Sequence, residues 1–170
     1  MLRCGLGISL MVCALAVPAA RAQTQDRDAP LKSVGRATVN VSLAGKDLPA
    51  EVTADRLRTL TELKLRTAGL RVVTPAEVRD DPDAIPSLEL TIIGVPARSG
   101  MEDLGWAFSM RLAVREYRPS QRNNVIVPVE LWADSYLYIS ETAKAGEQAE
   151  RVLTLLLDKL TNDWLKANPK

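Results

Sequence analysis

The sequence predicts an α+β fold. It is a two-layer domain in which two helices cover one face of a mixed, mainly antiparallel sheet of about five strands. Three observations predict it. In the stretch around residues 105–117, Trp106, Phe108, Met110, Leu112 and Val114 fall on one parity, and Ala107, Ser109, Arg111, Ala113 and Arg115 on the other. That is the two-residue period of a half-buried strand. Residues 145–167 carry Ala149, Val152, Leu153, Leu156, Leu157, Leu160 and Trp164 at helical spacing, one apolar stripe fit to cover a sheet. The elements come in the order β-α-β-β-β-β-α, and three of the strands show one apolar and one polar side, which confines the helices to a single face.

The first 22 residues stand apart from this pattern. Arg3 gives a positive start, residues 4–17 are an apolar run short for a bilayer, and Ala20-Arg21-Ala22 is a small-x-small cleavage site. Together they read as a secretory signal peptide. Lipid attachment at Cys13 fits less well, because the bulky Val12 precedes it. The expected product is an exported chain, periplasmic or extracellular, with no integral membrane segment after cleavage. Both cysteines, Cys4 and Cys13, lie in the signal, so residues 23–170 hold no disulfide. Of 22 Lys and Arg, Arg3 and Arg21 leave with the signal, and 20 remain against 21 Asp and Glu. A nucleic-acid partner needs a basic field that this chain lacks.

Residues 23–36 are polar and aperiodic, a flexible leader ahead of a single domain over 37–170. Ala37, Val39, Val41 and Leu43 alternate with Thr38, Asn40 and Ser42 as the first strand. Asn40-Val41-Ser42 matches a glycosylation sequon, but a three-residue match is weak and a strand edge facing water is the favoured reading. A helix follows over about 53–68, with Thr53 as its cap and Gly69 at its left-handed exit. Its expected stripe is Leu57, Leu60, Lys64 and Ala68, flanked by Leu63 and Leu65. Leu70–Thr74 is a short strand stopped by Pro75. Residues 76–86 read as an acidic loop. Asp80, Asp81 and Asp83 lack the glycine and the closing glutamate of a calcium loop, so no metal is expected. Ser87–Val95 is a strand with Leu88, Leu90 and Ile92 inward, and 96–105 a surface connection.

The long strand from Gly105 then turns through Arg118–Asn124 into a second strand, Val125–Ile139. On one parity this strand has Val125, Val127, Val129, Leu131, Ala133, Leu137 and Ile139, expected inward. On the other it has Glu130, Trp132, Asp134, Tyr136 and Tyr138, expected outward. Pro128 makes it an edge or a bulged strand.

The chemistry is defined mostly by absence. There is no histidine, and the exported chain has no cysteine. The usual general base, the thiol nucleophile and the commonest zinc ligands are therefore missing. No phosphate-binding or nucleophile-elbow motif occurs. Glu130 and Asp134 would lie about 13 Å apart on one strand face, wide for paired carboxylates. Ser140 and Lys144 fall in a loop entering a helix. The expectation is a non-enzyme with no cofactor.

The candidate site is instead a binding surface. Trp132, Tyr136 and Tyr138 would project from the wet face of the hairpin beside Arg111 and Arg115, and aromatic and arginine side chains anchor interfaces. Cross-strand packing of the aromatics is the structural alternative. The expected partner is an envelope protein, met by this face or by the edge strand holding Pro128. The alternative is a small-ligand or lipid carrier, with a pocket between sheet and helices lined by Phe108, Met110 and Leu156. Oligomeric state is left open.

The C-terminal LLDKLTNDWLKANPK resembles the ending of a group of uncharacterised exported bacterial proteins that close on L-(F/L)-N-x-(W/Y)-L-x-x-N-P. Leu157, Leu160, Asn162, Trp164, Leu165, Asn168 and Pro169 match, while Thr161 stands where the group has an apolar residue. LRTAGLRVV, a helix running through Gly69 into a strand, is also similar to theirs. The resemblance spans residues ~50–74 and ~150–170 and implies a small exported domain of the same element order, with no activity attached. In architecture the order is similar to small periplasmic accessory domains, such as the amino-terminal domain of TolB or auxiliary components of lipid transporters. Such likeness of fold does not carry function.

Overall fold

A computed structural model describes residues 29–32, 34–78, 85–99 and 102–169. The elements are β1 (Arg36–Ala44), α1 (Ala54–Ala68), β2 (Arg71–Val72), a single helical turn α2 (Pro75–Val78), β3 (Ser87–Ser99), β4 (Glu102–Pro119), β5 (Ile126–Ser140) and α3 (Ala145–Ala167). Short 3-10 turns precede β1 and α3. The five strands form one sheet in the order β2-β1-β3-β4-β5. β1 runs parallel to β2 and to β3, while the longer β3–β4 and β4–β5 ladders are antiparallel. The α+β architecture and its element order are those the periodicities predict.

Local chemistry sets the helix ends. Thr53 Oγ1 accepts from the Arg56 amide at 3.4 Å, and Gly69 exits at φ 98°, its N–H donating to the Leu65 and Arg66 carbonyls. A left-handed residue there is cheap only for glycine. The inward stripe of α1 is Leu57, Thr61 and Leu65, one residue round from the expected Leu57–Leu60–Lys64–Ala68 line, and Leu63 is exposed. Thr61 tolerates burial because its hydroxyl donates back to the Leu57 carbonyl at 2.8 Å.

α3 lies along the same face of the sheet. It buries Val152, Leu153, Leu156, Leu157 and Leu160 against Leu88, Leu90, Ile92, Phe108, Met110 and Leu112 in one continuous cluster. Five such side chains contribute on the order of 10 kcal/mol of gross hydrophobic stabilisation. Polar pairs tie α1 to α3 above this core, Lys64 with Asp158 at 3.0 Å and Arg56 with Glu150.

The start of the domain differs from the expected free leader. Leu31 and Val34 are buried in the core cluster. The reason lies at the other end of the chain. Trp164 Nε1 donates to the Val34 carbonyl at 2.6 Å, and Asn168 Nδ2 donates to the Leu31 carbonyl at 3.0 Å. Two residues of the C-terminal motif thus hold Leu31 and Val34 through their backbone carbonyls. Residues 1–28 lie outside the described part, as do Asp80, Asp81 and Asp83.

The expected surface connection at 96–105 is also strand. β3 and β4 stay paired out to Ser99 and Glu102, with an irregularity between Ala97 and Arg98. Pro96 is tolerated because β1 stops pairing with β3 at Ile93, so β3 is an edge beyond that point.

Candidate functional site

The β4–β5 hairpin decides which side chains meet. Val114 pairs with Trp132 but Arg115 pairs with Glu130, so Leu131 is an extra residue in β5. This β-bulge reverses the parity of the strand. Before it, Val127 and Val129 share the helix side with Arg118 and Glu116. After it, Trp132, Asp134, Tyr136 and Tyr138 take the helix side opposite Val114, Leu112, Met110 and Phe108. The inward set expected after Leu131 is therefore the outward one. Leu137 is 83% exposed and Ile139 66%.

The five candidate binding residues are split between the two faces. Trp132 is buried, and its Nε1 donates to Asp163 of α3 at 3.0 Å. Tyr138 stacks on Phe108 at 5.2 Å, and Phe108 on Trp106 at 6.1 Å. Among the described residues, the Tyr138 hydroxyl is a buried polar group with no hydrogen-bond partner. Burial pushes its pKa up to about 12. Tyr136 sits on the same side at 41% exposure. Arg111 and Arg115 point to the opposite, outer face. There Arg111 binds Glu130 at 2.5 Å, and Arg115 binds Glu89 at 2.5 Å and Glu130 at 3.8 Å. The sequence held the parity signal but not the bulge, because Leu131 is apolar like its neighbours.

The bulge also separates the two candidate carboxylates. Glu130 joins the outer arginines, whereas Asp134 pairs with Lys159 of α3. Ser140 Oγ donates to the Glu141 carbonyl at 3.0 Å, and Lys144 pairs with the Glu141 carboxylate at 2.9 Å. No group of three or more candidate metal ligands occurs among the described residues.

What the outer face does carry is an apolar zone, to which Leu137 and Ile139, expected inward, contribute. Ile93, Val95, Ala107, Ser109, Leu137 and Ile139 line an open trough of about 670 Å³. Two further features lie elsewhere. A cleft of about 540 Å³ between α1 and the β1–β2 edge is lined by Arg58, Glu62, Arg66, Thr38 and Asn40, with Arg66 held by Glu62 at 2.8 Å. Phe108, Met110 and Leu156, the expected pocket lining, are all buried in the core cluster.

No protein-family model matches the chain, and no curated protein matches it. Solved structures do. A PelC dodecamer from Paraburkholderia phytofirmans matches at 13% identity and TM-score 0.42, over 77% of this chain and 86% of that one. A hypothetical protein from Chlamydia trachomatis matches at 9% identity and TM-score 0.45, over 76% and 97%. The rare lipoprotein B from Shewanella oneidensis matches at 14% identity and TM-score 0.30, over 76% and 92%. Lipoproteins thus stand among the structures that this chain is similar to.

Proposed function

We propose that this chain is a non-catalytic binding protein of the bacterial envelope, which receives an extended segment of another envelope protein along the open edge of β5. The observation that carries this reading is the composition of that edge. Among the described residues, β5 pairs only with β4. Its first half holds the devices that blunt an edge, Pro128, Glu130 and the bulge at Leu131. From Ser135 to Ser140 the strand has neither charge nor proline. An unblunted edge offers main-chain hydrogen bonds to an added strand, a mode of recognition that needs no catalytic residue. Export is supported by the signal-like first 22 residues, and none of the described helices is long and apolar enough to cross a membrane.

The test places a photo-crosslinking residue at Ser135 in cells. The expected result is an adduct with one envelope protein, mapped by mass spectrometry to an extended segment. With the crosslinker kept at Ser135, Tyr136→Pro and Leu137→Pro separate the edge from the fold, since the amides of adjacent strand residues point to opposite sides. One variant loses the β4 ladder. The other stays folded and should lose the adduct. An adduct that survives in the folded proline variant overturns the reading.

A small-ligand or lipid carrier is the second reading, favoured by the apolar trough on the outer face. Mass spectrometry of organic extracts from the purified chain tests it, and extracts without any lipid or small molecule would refute it.

A further inference from the structure

We infer that the outer sheet face is covered by the same face of a second copy, the two hairpins lying antiparallel about a two-fold axis at Ala113. This inference concerns the face of the sheet and stands apart from the edge-strand reading. It rests on the spacing of apolar and charged levels along the hairpin. On the outer face, the levels Tyr117–Pro128 and Pro119–Ile126 lie four and six residues to one side of Ala113. The levels Ser109–Leu137 and Ala107–Ile139 lie four and six residues to the other. Both zones are exposed, Tyr117 at 38% and Ile126 at 48% against Leu137 and Ile139 at 83% and 66%.

At ~3.3 Å per residue each zone is centred about 17 Å from Ala113. A two-fold axis there lays the hairpin tip of each copy over the trough of the other, burying two apolar contacts at once. That is the self-complementarity an isologous interface requires.

The middle of the face is compatible with the axis. Arg111, Arg115, Glu89 and Glu130 bring two charges of each sign, already paired within one copy, so no net charge is buried. Ala113 between them is small and 2% exposed. The area suffices as well. Two hairpin strands at ~4.8 Å spacing over ~40 Å, with β3 beside them only as far as the Ser87–Arg115 level, give on the order of 500 Å² per copy, the size of a weak, reversible interface. The chain's own residues 23–28 do not suit the trough, since Gln, Thr, Gln, Asp, Arg and Asp offer it no apolar side chain.

The test uses the exported chain in sedimentation equilibrium, with Leu137→Lys and Ile126→Lys as variants at exposed positions and a thermal melt to confirm their fold. The expected result is a dimer at ~10 µM, weakened at least tenfold in Kd by either change. Residues 23–170 contain no cysteine, so single-cysteine variants report the geometry. A crosslinker of about 10 Å, the face-to-face sheet spacing, should join Leu137→Cys to Tyr117→Cys in a mixture and join neither to itself. A chain that remains monomeric at ~100 µM overturns the inference. So does a dimer untouched by Leu137→Lys, or a Leu137→Cys chain that crosslinks to itself.

Discussion

Tyr138→Phe should stabilise the domain. Among the described residues the Tyr138 hydroxyl is buried without a partner, and the ring that carries it is stacked on Phe108. A buried polar group left unpaired costs about 1–3 kcal/mol, and its removal with the ring kept in place recovers that cost. Tyr138 is only partly buried, so the lower end applies, about 1 kcal/mol. For a domain of this size that is a rise of roughly 3–5 °C in Tm, read by circular dichroism. The pH dependence gives a second readout. Burial raises the folded pKa from 10 to about 12, which favours the neutral phenol. This contribution to stability is fully present below the unfolded value near 10. It is lost as pH rises toward 12, because the unfolded chain ionises first. Denaturant midpoints of the wild type should therefore fall between pH 10 and 12 more steeply than those of Tyr138→Phe. A variant less stable than wild type, or parallel pH curves, would refute the reasoning and show that the hydroxyl has a partner.

Three other substitutions probe the core and the hairpin. Leu156 is fully buried at the centre of α3, and Leu156→Asp should cost more than about 5 kcal/mol, leaving no cooperative melt. Gly105 holds φ 100°, and a Cβ there would stand 2.2 Å from the Ser140 carbonyl oxygen. Gly105→Ala should therefore lower stability by at least about 2 kcal/mol in urea titration, and a neutral result would show that β4 and β5 separate at that end. Trp132→Phe removes the donor to Asp163 and should cost about 1–2 kcal/mol, while a loss below ~0.5 kcal/mol would mean that the bond adds nothing.

Strand and helix periods gave the architecture, since a period of two or 3.6 residues is a local property of side-chain direction. Thr53 and Gly69 bounded α1 by local chemistry, and the α3 stripe named its buried residues. The α1 stripe came out one residue off because Thr61 looks polar in sequence, and its bond to the Leu57 carbonyl belongs to the folded helix. Leu31 and Val34 read as leader because their partners, Trp164 and Asn168, lie about 130 residues away.

The candidate site was the least legible part, for a single physical reason. Which face a strand residue takes is set by its register against the neighbouring strand, and one extra residue reverses it. Leu131 is that residue. It sends Trp132 and Tyr138 toward the helices, leaves Arg111 and Arg115 outside with Glu130, and turns Leu137 and Ile139 to the surface. The sequence by itself determined that β5 alternates, that the hairpin closes through a polar turn and that two helices cover one face of the sheet. Only the tertiary structure decided which half of that alternation is buried, because the bulge exists as a pairing between β4 and β5 and not as a pattern within either.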